Sequence, residues 1–278
     1  MIVLEKSNRF NNSSKLFEVS DNNILTFQGT SKGNQAKWSI GDYWIKRDYL
    51  GYESLSEVIT SKFLECVDGI DFVKYDFCSI KYNNVIYKDA CCSRDFLEHG
   101  ESLITFGRLL NVDNSFMKSL LKVDGKSRVR FIIDSIESKT GLNTTNYVGR
   151  QIYLDSIIKN EDRHLFNLAL LEDCNGKFRE CPVFDNGGSL LSDTRQYNLD
   201  TPLFINLRTV KSKPFNTDFK KQAQLFKGLN VPPLKIDLDK LNSKLSEITY
   251  VDDRVLFRAL NTLKLGLKEM EGLSWEKV

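Results

Sequence analysis

Asp162 and Asn167 stand five positions apart in the string Asn160-Glu161-Asp162-Arg163-His164-Leu165-Phe166-Asn167, just before the apolar run Leu168-Ala169-Leu170-Leu171. A carboxylate can orient an acceptor hydroxyl and take its proton, and a nearby amide oxygen can ligate a hard cation. That offset is the one phosphoryl-transfer catalytic loops use. Asp162 is the candidate base, and Asn167 a candidate magnesium ligand.

Eighteen positions beyond Asn167 lies Asp185, in Pro182-Val183-Phe184-Asp185-Asn186-Gly187-Gly188. The segment reads as a strand that ends in an aspartate and turns on glycines, a DFG-like arrangement. A carboxylate there can chelate a magnesium ion bridging nucleotide phosphates, while glycines let backbone approach and turn away. Asp185 is the expected principal metal ligand. Either string alone has an ordinary explanation as an exposed loop or an Asx turn. Their order and strand context join them into one site.

The phosphates need donors upstream. Gly29-Thr30-Ser31-Lys32-Gly33-Asn34-Gln35-Ala36-Lys37 can offer backbone N–H groups and the hydroxyls of Thr30 and Ser31, although it lacks the Walker pattern and reads equally well as a plain loop. Lys46, near the end of a predicted strand, can pair with α- and β-phosphates, and Glu57 in the following helix can hold it. A surface lysine and a solvated glutamate are the ordinary alternatives; Lys37 and Glu53 are the nearest competitors. Ala90-Cys91-Cys92-Ser93 falls where two lobes would join, so the backbone at Cys92 is a candidate for the adenine edge, with the cysteines as buried filler.

His164 invites a catalytic or metal reading, but His99 is the only other histidine, which argues against a histidine metal cluster. A loop-orienting role fits it better, with Arg163 contacting carboxylates or phosphate and Phe166 in the core.

Positioning these groups requires two kinds of scaffold. Residues 16–48 read as short strands, including 24–27 and a hairpin whose Trp38, Ile40, Tyr43 and Ile45 flank Gly41-Asp42. Helical spacing follows from Glu53 to about Cys66, then a strand pair at 72–80 and 85–90 around Tyr82-Asn83-Asn84. Beyond Cys92 the pattern is mainly helical, at 115–123, 126–139, 145–159 and 252–271. Short strands near 168–171 and 178–183 interrupt it, turning through Asp173-Cys174-Asn175-Gly176. The expected fold is α+β and two-lobed, with a strand-rich N-lobe over residues 1–92 and a mostly helical C-lobe over 93–278.

Composition narrows the class. The 278 residues are 41% hydrophobic, enough for a real core, and 39 basic against 37 acidic residues leave +2, too balanced for a broad grip on nucleic acid. No apolar run is long enough for a membrane helix, no signal segment opens the chain, and the six cysteines lack C-x-x-C spacing. Reduced thiols and a cytoplasmic location follow as expectations.

The strings at 29–37, 160–167 and 182–188 resemble those of HipA-like kinases, and D-R-H-x-x-N at 162–167 is also similar to the catalytic loop of phosphatidylinositol-kinase relatives. The resemblance spans roughly residues 29–193 and is confined to motifs. It implies a protein-kinase-like fold, Mg-ATP, and Ser/Thr phosphorylation of protein substrates, with Asp162 catalytic, Asn167 and Asp185 on the metal, Lys46 on the phosphates, and self-phosphorylation at Thr30 or Ser31, with Ser39 less favoured. The chain is shorter than full-length HipA toxins, so a stand-alone or effector kinase of the compact CtkA type is as open as a toxin. An antitoxin-like partner is an option only the resemblance carries. The expected function is a bacterial Ser/Thr protein kinase with an unnamed protein acceptor. A small-molecule or lipid kinase, or a nucleotide-binding pseudokinase or interaction module, is the alternative.

Overall fold

The computed structural model describes residues 2–5, 14–21 and 35–278. The strand expected at 24–27 and the loop residues Gly29, Thr30, Ser31 and Gly33 lie outside the described residues.

The amino-terminal part is a six-stranded sheet built from β1 (Ile2–Glu5), β2 (Ser14–Glu18), β3 (Lys37–Ile40), β4 (Tyr43–Arg47), β5 (Tyr75–Tyr82) and β6 (Val85–Arg94), in the order β1-β2-β5-β6-β4-β3. Helix α1 (Glu53–Leu64) packs on one face of this sheet. Two turns behave as their residues require. Gly41 takes the left-handed conformation between β3 and β4, and Asn83 and Asn84 both take it between β5 and β6, the backbone of a two-residue hairpin.

Strand alternation decides what reaches the helix. Ile45 and Cys92 face a core shared with Phe17, Trp38 and Ile80, whereas Cys91, one residue along, packs with Val58 of α1 and Tyr75. Lys46 lies opposite Cys91 in the ladder and so points to the α1 side. The sheet continues to Arg94, so a division between residues 92 and 93 would cut β6.

Beyond it come β7 (Ser102–Thr105), α2 (Phe106–Leu109), α3 (Asn114–Leu120), α4 (Gly125–Thr140), α5 (Thr145–Ile158), β8 (Ala169–Glu172) and β9 (Phe178–Glu180). The chain ends with α6 (Leu203–Thr209), α7 (Phe219–Lys227), β10 (Leu234–Ile236), α8 (Leu238–Ser246), α9 (Asp253–Met270) and β11 (Trp275–Lys277). Strands β7, β8 and β9 form one small antiparallel sheet, and β10 and β11 a parallel pair. Four strands, β1, β7, β10 and β11, were not legible in the sequence; each spans only three or four residues, too short for alternation to show.

Helix α5 is the post on which the second part is built, since Ile152, Tyr153, Leu154, Ile157 and Ile158 are all fully buried. Helix α9 approaches it backbone to backbone at Gly266, where an added Cβ would sit 1.8 Å from the Ile157 carbonyl oxygen. Gly266→Ala is expected to lose at least about 3 kcal/mol in chemical denaturation, the upper end of overpacking costs. Gly228→Ala, whose Cβ would stand 3.6 Å from its nearest neighbour, serves as the control. Equal midpoints for the two variants would refute this packing.

Candidate active site

Three elements meet at one ammonium. Lys46 Nζ lies 2.7 Å from Glu57 Oε1 of α1 and 2.7 Å from Asp185 Oδ1. It also sits 4.9 Å from the centre of the Tyr75 ring. The other Glu57 oxygen accepts the Asn186 backbone N–H at 2.9 Å, so the helix glutamate grips both the lysine and the turn after Asp185. Of the competitors, Glu53 is spent elsewhere: its carboxylate accepts the backbone N–H groups of Tyr49, Leu50 and Gly51. Lys37 lies opposite Lys46 in the β3–β4 ladder and lines the cleft.

Burial alone would discharge this lysine, but the carboxylates of Asp185 and Glu57 hold its pKa well above the ordinary lysine value. Asp185 answers in kind. Burial pushes its carboxyl up, and Lys46, Lys37 and Arg163 together overcome this and hold it well below the usual carboxylate range.

The turn itself differs from the sequence expectation in which residue bends. Asp185 takes the left-handed conformation (φ 57°), and neither Gly187 nor Gly188 does. A left-handed aspartate costs on the order of 1 kcal/mol, offset here by its ion pair. Gly188 is needed for closeness instead: a Cβ there would stand 2.9 Å from the Asp162 Cβ.

Behind the turn, Arg163 is fully buried. Its Nε donates to Asp155 Oδ2 of α5 at 2.9 Å, its Nη2 to Asn186 Oδ1 at 2.8 Å, and its Nη1 to the carbonyls of Asn167 at 2.9 Å and Phe184 at 3.2 Å. One guanidinium thus fixes α5, the 160–167 loop and the Asp185 turn relative to one another. Contact with a phosphate, one of its two expected roles, is closed to a side chain with no exposed surface. Asp155 and Asn160 were missed. Asn160 Nδ2 donates to Asp155 Oδ1 at 3.1 Å, and Asn160 Oδ1 accepts the Asp162 N–H at 3.0 Å. Their signal was a carboxylate inside the apolar run 152–158.

The loop presents its polar atoms to the cleft. Asn167 Nδ2 donates to the Asp162 carbonyl at 2.9 Å, which leaves the amide oxygen as the atom able to ligate. Asp162 Oδ1 is buried with no hydrogen-bond partner, the Lys213 ammonium standing 3.7 Å away. Asp162, Asn167, Asp185, Gly188, Lys37 and Tyr49 line the same cleft. Among the described residues no group of three or more His, Cys, Asp or Glu is placed to cage a metal. Magnesium suits such a donor set, because it binds through one or two carboxylates with phosphates and water completing its shell.

His164 Nδ1 accepts the Phe166 N–H at 3.1 Å, and burial lowers its pKa against the pull of Asp162. Phe166 departs from expectation. It is 37% exposed rather than in the core, its ring pressed on Gly107. Cys92 also departs. It sits inside β6, opposite Ile45 on one side and Asp76 on the other, so its backbone is committed to the sheet and the joint lies beyond Arg94. Its role as buried filler holds.

The segment after the turn clamps α1. Ser56 Oγ donates to the Ser189 carbonyl at 3.0 Å and Tyr52 Oη to that of Leu190 at 2.7 Å, while Ser192 Oγ closes the segment on its own Gly187 carbonyl at 2.6 Å.

No protein-family model and no curated protein sequence matches the chain. Among solved structures it is similar to the proinflammatory kinase CtkA of Helicobacter pylori, with a TM-score of 0.62, 16% identity, and coverage of 91% of this chain and 95% of that one. It is also similar to HipA of Shewanella oneidensis MR-1, solved with HipB and operator DNA, with a TM-score of 0.51, 12% identity, and coverage of 95% and 67%. The chain therefore has the two-lobed, kinase-like α+β fold of these proteins. Among the described residues no helix is long and apolar enough to cross a membrane.

Because the folded Asp185 pKa is lowered, its ion pair stabilises the protein above the unfolded aspartate value of about 3.9 and is lost only as pH falls through the lower folded value. Carboxyl 13C titration should find Asp185 still ionised at about pH 3. Lys46→Met should raise its midpoint. A midpoint near 4 in the parent would contradict the assignment.

Proposed function

We propose that this chain is a HipA/CtkA-like kinase that uses ATP and Mg2+ to phosphorylate Ser or Thr hydroxyls of a protein acceptor. The observation that carries this reading is the ammonium of Lys46 held between Glu57 and Asp185, on the same cleft as Asp162 and Asn167. Such a constellation suits a reaction in which catalysis is mostly positioning and charge compensation.

The roles follow from the chemistry of each group. Lys46, kept charged and oriented by Glu57, holds the α- and β-phosphates. By the resemblance of the 29–37 string, Gly29, Thr30, Ser31 and Gly33 would donate to the phosphates together with Lys37, and Thr30 and Ser31 are the hydroxyls proposed for self-phosphorylation. Magnesium, held by Asp185 and the amide oxygen of Asn167, would compensate charge on the phosphoryl oxygens. Asp162 orients the acceptor hydroxyl and takes its proton as the new O–P bond forms and the bond from the γ-phosphorus to ADP breaks. The Asp162 side chain is 17% exposed and lines the cleft, so its carboxylate can accept from a hydroxyl donor there.

Asp162→Asn and Asp185→Asn should fail differently. The first removes the base and should slow transfer about a hundred- to ten-thousand-fold while Mg-ATP still binds. The second removes a charged metal ligand and should weaken magnesium-dependent ATP binding by at least about ten-fold. Calorimetry with and without magnesium, beside transfer of labelled phosphate, separates them. Binding by the parent without any transfer would indicate a nucleotide sensor, and unaltered transfer in both variants would place the chemistry elsewhere.

A further inference from the structure

An apolar groove adjoins the 160–167 loop, whose His164, Leu165 and Phe166 help to line it. Val112, Met117, Leu121 and Phe166 form one side, and Lys213 with Pro214 the other. Its lining reaches close to the base assigned above. Phe166 follows Asp162 by four residues, and Lys213 both lines the groove and brings its ammonium to 3.7 Å from Asp162 Oδ1.

Both walls are built. Phe166 is seated against Gly107, where an added Cβ would come within 2.6 Å of its ring, and its N–H is held by His164 Nδ1 at 3.1 Å. Across the groove, the buried Gln222 accepts the N–H groups of Phe215 at 2.8 Å and Asn216 at 3.0 Å and donates to the Lys213 carbonyl at 2.9 Å. Arg128 ties the walls together, donating to the carbonyls of Phe215 at 3.2 Å and Val123 at 3.1 Å. Yet the apolar wall is not covered: Leu121 is 58% and Phe166 37% exposed.

We propose that this groove receives a bulky apolar side chain of a protein acceptor and so sets a nearby Ser or Thr hydroxyl against Asp162. The inference rests on the kinase reading and sharpens its substrate class. A small polar acceptor, such as an amino alcohol or a sugar, would leave the apolar walls wet, whereas a Leu, Met or Phe on the same chain as the hydroxyl would bury them. The ammonium of Lys213 at the inner rim disfavours a basic residue at that end.

The test is phosphosite mapping after incubating the chain with Mg-ATP and a dephosphorylated cell lysate, for the parent and for Leu121→Lys. The parent should label Ser or Thr residues with a large apolar residue enriched at one fixed nearby position. Leu121→Lys should lower kcat/KM for a peptide carrying that residue about ten- to a hundred-fold, the equivalent of one lost apolar contact, and should shift selection there toward Asp and Glu. Its Kd for Mg-ATP, measured on the same sample, reports that the variant is folded. Labelled sites with no apolar enrichment, or a selection that Leu121→Lys does not move, would overturn the groove assignment and leave the kinase reading standing. No labelling by the parent would overturn both.

Discussion

The candidate site depends on keeping one ammonium charged out of water. Lys46 is nearly buried, a place where an isolated lysine would lose its proton, and two carboxylates from distant parts of the chain prevent this. Removing either carboxylate would leave a buried charge short of a partner, a change that typically costs about 3–5 kcal/mol. The pairing therefore makes α1 and the Asp185 turn mutually dependent. Neither can shift without uncovering a charge, and the ion pairs act beside the apolar core that α1 shares with α8 and α9.

A second buried ion pair does the same work one layer back. Asp155 and Arg163 are both fully buried, and the guanidinium spends its remaining donors on Asn186 and two carbonyls. An arginine suits this position because its planar fork reaches several acceptors at fixed angles, which a lysine cannot do. Its cost in desolvation is offset by geometry, since Asp162 and Asn167 stand on the loop it fixes. Between the two pairs, the residues facing the cleft have little freedom of their own, as a site that works by positioning requires.

Much of this was legible in the sequence because it is written in local pattern. The hairpin pattern placed Lys46 near the end of a strand, the five-residue offset placed Asp162 and Asn167 on one loop, and a strand running into Asp185 placed a carboxylate at its end. The remainder depends on contacts between segments far apart. The carboxylate of Asp155 inside the apolar run 152–158 signals a buried polar group but not its partners, which are created by the fold. Cys92 was misplaced because a strand of ten residues, β6, outruns the apolar stretch that signals it. Phe166 was assigned to the core on its type alone, but its ring lies over the buried Gly107 with its other side open, and only the tertiary structure shows which apolar residues lack a cover. At Asp185 the sequence pointed to the glycines for the bend, while the ion pair to Lys46 carries the strained backbone at the aspartate.

The most direct test of the account is a crystal structure with Mn2+ and a non-hydrolysable ATP analogue, in which the metal is located by its anomalous signal. The account predicts manganese at about 2.0–2.3 Å from oxygens of Asp185 and Asn167. It also predicts that Lys46 keeps Glu57 while exchanging its contact with Asp185 for phosphate oxygens. Manganese bound away from Asp185, or Lys46 parted from Glu57 with nucleotide in place, would contradict it.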